Sequence, residues 1–157
     1  MIGWHALTFT PNQDAIDRLA DAWAWLLKEP FRPVLFSTLG DMFFEPDSGG
    51  IWWLNTGTAE LQRVAENVDH FNDRLDTDIA NEWFMPLLIE QLHFAGKGPE
   101  EGECYTYVTL PVFADGRYEV DNLNCVPAGE HFAITGRILH EIADLPDEVK
   151  VKAPTLQ

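Results

Sequence analysis

The stretch Gly40–Leu61, "GDMFFEPDSGGIWWLNTGTAEL", packs two short aromatic runs around a turn and then becomes abruptly polar. Met42–Phe44 and Ile51–Leu54 flank "EPDSGG", in which a proline, an aspartate and two glycines supply turn chemistry, so the segment reads as a β-hairpin. Strand alternation places Met42 and Phe44 on one face and Asp41, Phe43 and Glu45 on the other; it likewise separates Trp52 and Leu54 from Ile51 and Trp53. Both faces therefore carry large apolar groups, as in an internal strand pair covered on two sides. Adjacent strand residues point oppositely, so at most one of Trp52 and Trp53 can be on show. The face shared by Asp41, Glu45 and Trp53 is the candidate for display to a partner.

Upstream, Thr10-Pro11-Asn12-Gln13 reads as an N-cap, a first-turn proline and a capping-box glutamine. They open a helix over about residues 11–28, whose apolar stripe is Ile16, Leu19, Ala20, Trp23, Leu26 and Leu27. Lys28-Glu29-Pro30 ends it, and Pro33 reinforces the break. Downstream, Val64, Val68, Phe71 and Leu75, continued by Ile79, Trp83, Leu87 and Leu88, predict a helical region from Gln62 to about Gly96. Pro86 breaks that region near Phe84 and Met85. "GKGPEEGE" is a surface loop, and "PAGEHFAITGRILHEIADLP" a closing helix carrying Phe132, Thr135, Ile138, Leu139 and Ile142 despite Gly136. The tail from Pro146 onward is expected to add one short strand or none. The resulting expectation is a single α+β domain: an antiparallel or mixed sheet built from two hairpins, with helices packed on it.

The second hairpin is read in "CYTYVTLPVFADGRYEVDNLNC", with Asp115-Gly116 as a two-residue turn. That register opposes Cys125 to Thr106 and Cys104 to Pro127. The chain's two cysteines are then diagonal neighbours, somewhat under roughly 7–8 Å apart against the roughly 3.5–4.5 Å a disulfide needs. Two reduced thiols are expected.

Charge narrows the partners. Twenty-six acids against 10 bases give a formal net charge of −16, which disfavours nucleic acid and anionic membrane and favours a basic protein. Solubility alone is the plainer explanation of such acidity. The opening "MIGWHALTFTPNQD" has neither the basic flank nor the apolar run of a targeting segment, so a soluble cytoplasmic protein is expected. A second acidic set, Glu100, Glu101 and Glu103 with Glu119 and Asp121, reads either as solvated loop and edge polarity or as a patch for lysines and arginines. "HEIAD" places His140 and Asp144 one helical turn apart around Glu141, as in a truncated zinc-hydrolase motif, but the third ligand of a catalytic site is missing. A helix-end ion pair or a solvated face is the more ordinary reading. No serine elbow, phosphate loop or dinucleotide fingerprint is present, Cys104 stands in an acidic context unsuited to a nucleophile, and no cofactor is called for.

Read in order, "LGDMFFEPDSGGIWWLNTGTAELQRVAEN", "EWF", "GECYTYVTLPVFADGRYEVDNLN" and "HFAITGRILHEIADLP" resemble the C-terminal domain of type VI secretion immunity proteins that neutralise DNase toxins, from about Val34 to Asp147. The resemblance is carried best by the Leu39-Gly40-Asp41 to Thr56-Gly57 hairpin and by Gly102-Glu103-Cys104-Tyr105. The chain departs where Asp115-Gly116-Arg117 precedes Tyr118, since members often have a Gly-Gly pair there. What the resemblance implies is a non-catalytic cytoplasmic antidote to a toxin, with a basic nuclease surface as its target. The alternatives are a small metal-dependent hydrolase using His140, Glu141 and Asp144, and an acidic scaffold or assembly subunit without a toxin partner.

Overall fold

The computed structural model describes residues 2–145. Within them a five-stranded antiparallel meander follows chain order: β1 (Thr8–Phe9), β2 (Phe31–Ser37), β3 (Met42–Pro46), β4 (Ile51–Leu54) and β5 (Leu61–Ala65). A separate antiparallel pair joins β6 (Glu103–Tyr107) to β7 (Leu123–Pro127). The helices are α1 (Trp4–Leu7), α2 (Gln13–Ala22), α3 (Val68–Leu75), α4 (Ile79–Phe84), α5 (Pro86–Phe94) and α6 (Ala128–Ile142). The architecture is α+β, and its sheets are antiparallel rather than mixed.

The quoted stretch forms the interior of the meander, with Met42 opposite Leu54, Phe43 opposite Trp53 and Phe44 opposite Trp52. Each face is covered by helices. On one, Phe36 lies 5.7 Å from Phe132 of α6; on the other, Phe43 meets Phe71 of α3 at 5.1 Å and Trp83 and Phe84 of α4 at 5.4 and 5.5 Å. Phe43, Phe71, Trp83, Phe84 and Phe132 are all essentially removed from water. At about 1.5–3 kcal/mol for each large side chain, this double burial is the main stabilising term. Of the hairpin's aromatics Phe43 and Phe44 are core, and Trp52 and Trp53 pack against it half-buried.

The two sheets are joined by a backbone hydrogen bond in which the Tyr105 amide donates to the Thr38 carbonyl (2.8 Å). Helix α6 packs on α2 as well as on the small sheet. The α2 contact depends on Gly136, where a Cβ would lie 2.6 Å from the Ala22 carbonyl oxygen. Trp25 locks the same crossing by donating its Nε1–H to the Gly136 carbonyl (3.1 Å).

Several boundaries differ from expectation. The first helix begins at Gln13, because Asn12 rather than Thr10 supplies the cap, accepting from the Ala15 amide at 2.8 Å. It ends at Ala22, and Trp23–Leu26 continue as turns. Pro33 lies inside β2, at an irregularity between Pro33 and Leu35 where a missing N–H is tolerated. Leu61–Ala65 is a strand paired with β4, not the start of a helix. The expected break at Met85 is present: that residue adopts the left-handed conformation (φ 47°, ψ 60°), closing α4 and opening α5 at Pro86.

In the small sheet Tyr105 opposes Cys125 and Cys104 opposes Val126, so the predicted register is wrong by one residue. Residues 108–122 connect the strands, and Asp115-Gly116 is not a two-residue hairpin turn. Cys104 and Cys125 consequently fall on opposite faces of the ladder, and both are free thiols. The possible strand after Pro146 lies outside the described residues.

Candidate functional site

The Gly40–Thr56 motif builds a buried polar knot. A tight turn from Ser37 to Asp41 reverses the chain between β2 and β3, with Gly40 at φ +88°. The Asp41 carboxylate is buried and accepts from the Trp53 indole N–H (3.1 Å), the Thr56 amide (3.0 Å) and the Thr56 hydroxyl (3.2 Å). The Thr56 hydroxyl also lies 2.9 Å from the Gly40 carbonyl and 2.8 Å from His131 Nε2, while His131 Nδ1 meets the Thr106 hydroxyl at 2.8 Å. A proton on Nε2 satisfies every member: the ring donates to Thr56 Oγ1, Thr106 donates to Nδ1, and the Thr56 proton remains for Gly40 or Asp41. One chain of bonds thus links the β2–β3 turn, β4, β6 and α6.

Burial sets the charge states of this knot. It pushes the Asp41 carboxyl up to about 6 although the Thr56 amide, the Trp53 indole and the Thr56 hydroxyl all oppose the shift. It pushes the fully buried His131 imidazole down to about 4, with the Gly40 carbonyl opposing. At neutral pH the histidine is neutral and Asp41 is largely ionised. Asp41, Thr56 and His131 are buried and bonded to one another, so the chemistry of the knot is cohesion.

Asp41 is therefore not available for display, contrary to the strand-face expectation. Trp53 is half-buried, stacked at 5.9 Å on Phe43 and tied to Asp41. Glu45 is partly exposed and paired with Arg32 at 2.6 Å. The second acidic set is divided. Glu100, Glu101 and Glu103 line one wall of a groove of about 590 Å³, opposite the edge strand β1 and beside His5 and His93. Glu119 and Asp121 are exposed towards the other end of the β6–β7 ladder, respectively just before and within the 3-10 turn Val120–Asn122 that touches α5. His140 stacks face to face on Trp25 (5.0 Å, 4° between planes), with Glu141 and Asp144 exposed. Among the described residues no group of three or more His, Cys, Asp or Glu side chains is arranged to hold a metal ion.

The sequence reading missed a one-sided run of exposed charge. Between Glu66 and Glu90 seven carboxylates are exposed: Glu66, Asp69, Asp73, Asp76, Asp78, Glu82 and Glu90. The one cation in that span, Arg74, is turned inward, donating to the Val64 carbonyl and lying 5.4 Å over the Trp83 ring. Among the described residues the ion pairs are those of Arg32 with Glu45 and Asp47, and none of the seven is in an ion pair with another described residue. The α5 ridge was missed too: Leu87 and Phe94 are 76% and 96% exposed although the helical stripe assigned Leu87 to the interior. A count of charge by segment would have found the acids.

This acidic helical half lies within the region that comparison with known families singles out. Residues 65–139 match the family model of the T6SS immunity protein Tdi1, C-terminal. The matched Tdi1-type region is just under half of the chain and runs from the end of β5 through most of α6. It includes Gly102–Tyr105 but not the Leu39–Gly57 hairpin, so the wider likeness from Val34 rests on the sequence alone. That family is described as one of T6SS immunity proteins. No curated protein matches the chain significantly. Among the described residues no helix is long and apolar enough to cross a membrane.

Proposed function

We propose that this protein is an immunity protein that neutralises a secreted toxin by stoichiometric binding in the cytoplasm, without catalysis, and that the toxin is a nuclease. The observation that carries the reading is the Tdi1-type match together with the exposed carboxylates displayed by that same region. A nuclease presents cationic side chains to phosphate, and a fixed array of carboxylates competes for them. Glu100, Glu101, Glu103, Glu119 and Asp121, with Glu45 and the edge of Trp53 further away, add peripheral charge and contact surface that speed encounter. Asp41 has no direct part, because it is sealed in the core.

The test is growth of bacteria expressing the candidate toxin encoded beside this gene, with and without this protein, followed by isolation of the pair. Rescue with a one-to-one complex, and with loss of DNA cleavage by purified toxin, is the expected result. Toxicity that persists while both proteins are soluble and expressed overturns the immunity reading. Rescue of a toxin that leaves DNA intact overturns only the nuclease assignment.

A further inference from the structure

The corner between α4 and α5 combines an exposed apolar ridge, an adjoining groove and an acidic rim. Leu87 and Phe94 are separated by two helical turns, about 10.5 Å along the axis, and both face solvent. Beside Leu87 a groove of about 460 Å³ is lined by Asn81, Met85, Pro86, Leu87, Leu88 and Tyr118. Its floor is fixed: Leu88, Ile89 and Leu92 anchor α5 in the core, and Pro86 starts the helix. The left-handed Met85 at its lip is a residue type that rarely adopts this conformation, at a cost of roughly 1–2 kcal/mol. Exposed carboxylates rim the patch: Asp78 just before α4, Glu82 within it, Glu90 between the two apolar residues, and Glu119 next to Tyr118 in the chain. The nearby Lys97 ammonium is withdrawn, donating to the Val120 and Leu123 carbonyls, which leaves Arg117 as the exposed cation of this flank.

We infer that this corner is the docking site for the toxin, taking a cationic segment that carries a large apolar side chain into the Leu87 groove and flanks it with lysines or arginines. The inference rests on the immunity reading above and assigns it a surface. Charge complementarity selects the occupant. A second copy of this chain would bring the same carboxylates against Asp78, Glu82, Glu90 and Glu119, whereas a basic segment pairs with them while Leu87 and Phe94 lose water. The apolar pair then supplies the slow dissociation and the rim the fast association.

The test compares Leu87→Ser with Phe94→Ser, as a double variant, and Glu82→Lys with Glu90→Lys against wild type, using the toxin encoded beside this gene in titration, stopped-flow association and growth rescue. The serine variant is expected to raise Kd at least about tenfold and to lose rescue while keeping the wild-type melting temperature. The lysine variant is expected to slow association and to flatten its salt dependence. Serine-variant binding equal to wild type overturns this surface and leaves the immunity reading intact, most clearly if Glu100→Lys with Glu101→Lys abolishes binding instead. Failure of the wild-type protein to bind removes both. A wild-type dimer that the serine variant dissolves, with toxin binding unchanged, identifies a second copy as the occupant and overturns the inference.

Discussion

The knot around Asp41 and the corner around Leu87 invert the usual expectation of where polar and apolar side chains belong. In the first, an aspartate, a histidine and a threonine are buried and, with the part-buried Thr106, satisfy one another. In the second, a leucine and a phenylalanine stand in water although the same helix buries Leu88, Ile89 and Leu92. The lesson is that a distinctive motif and a binding surface need not coincide. "LGD" and "NTG" are distinctive because few residues can close a buried network, while an exposed ridge on an amphipathic helix leaves little trace in composition.

The contrast is broken most severely at Gly40. An alanine there would place its Cβ 2.2 Å from His131 Nε2 at φ +88°, so Gly40→Ala is expected to cost about 3 kcal/mol or more in urea titration. A cost below about 1 kcal/mol would show that the knot is looser than its hydrogen bonds imply.

The next effect is in pH dependence. His131, down from 6.5 to about 4, contributes stability that is present above 6.5 and lost as pH falls through about 4. Asp41, up from 3.8 to about 6, contributes the reverse: stability present below 3.8 and lost as pH rises through about 6. Between pH 4 and 6 the two offset each other. Asp41→Asn removes one side, so its unfolding free energy should fall, relative to wild type, by about 3 kcal/mol from pH 6.5 to 4. Parallel pH profiles for the two proteins would refute the compensation.

Smaller still is Gly136→Ala, which forces α6 away from α2 at the Ala22 carbonyl and should cost about 1–3 kcal/mol, read as a lowered denaturant midpoint. Least affected is the Leu87→Ser and Phe94→Ser double variant, whose stability should stay within about 0.5 kcal/mol of wild type because neither side chain is buried. A large loss there would make the ridge part of the core and erase the contrast.

What the sequence disclosed follows the same division. The hairpin from Met42 to Leu54, the break at Met85 and the closing helix were legible because alternation, proline and helical spacing each act locally. Leu61–Ala65 was not, because Val64, Val68 and Phe71 are spaced as a helical stripe while belonging to a strand and the helix after it. Asp115-Gly116 misled for a different reason: Gly116 packs so closely that a Cβ would fall 2.1 Å from the Leu110 carbonyl oxygen, so the glycine serves a close approach rather than a hairpin turn. For the candidate site, Glu100, Glu101 and Glu103 do share a groove, but Asp41 turned inward because its partners, Thr56 and Trp53, are set by the pairing of whole strands. The α5 ridge could not be read from spacing, since Leu87 and Leu88 compete for the same core and only packing decides between them.

The amide of Tyr105, bonded to the carbonyl of Thr38, has a consequence for what counts as a folding unit. The stretch matched by the family model is joined to the meander by that bond, by His131 reaching Thr56, and by Phe71, Trp83 and Phe84 closing over Phe43. A fragment starting at Ala65 would leave those rings without a floor. Deuterium should therefore enter the Tyr105 amide only when the whole cooperative structure opens, at the same rate as the centre of β3. Exchange of the Tyr105 amide ahead of β3 would instead mark residues 65–139 as a unit able to open by itself.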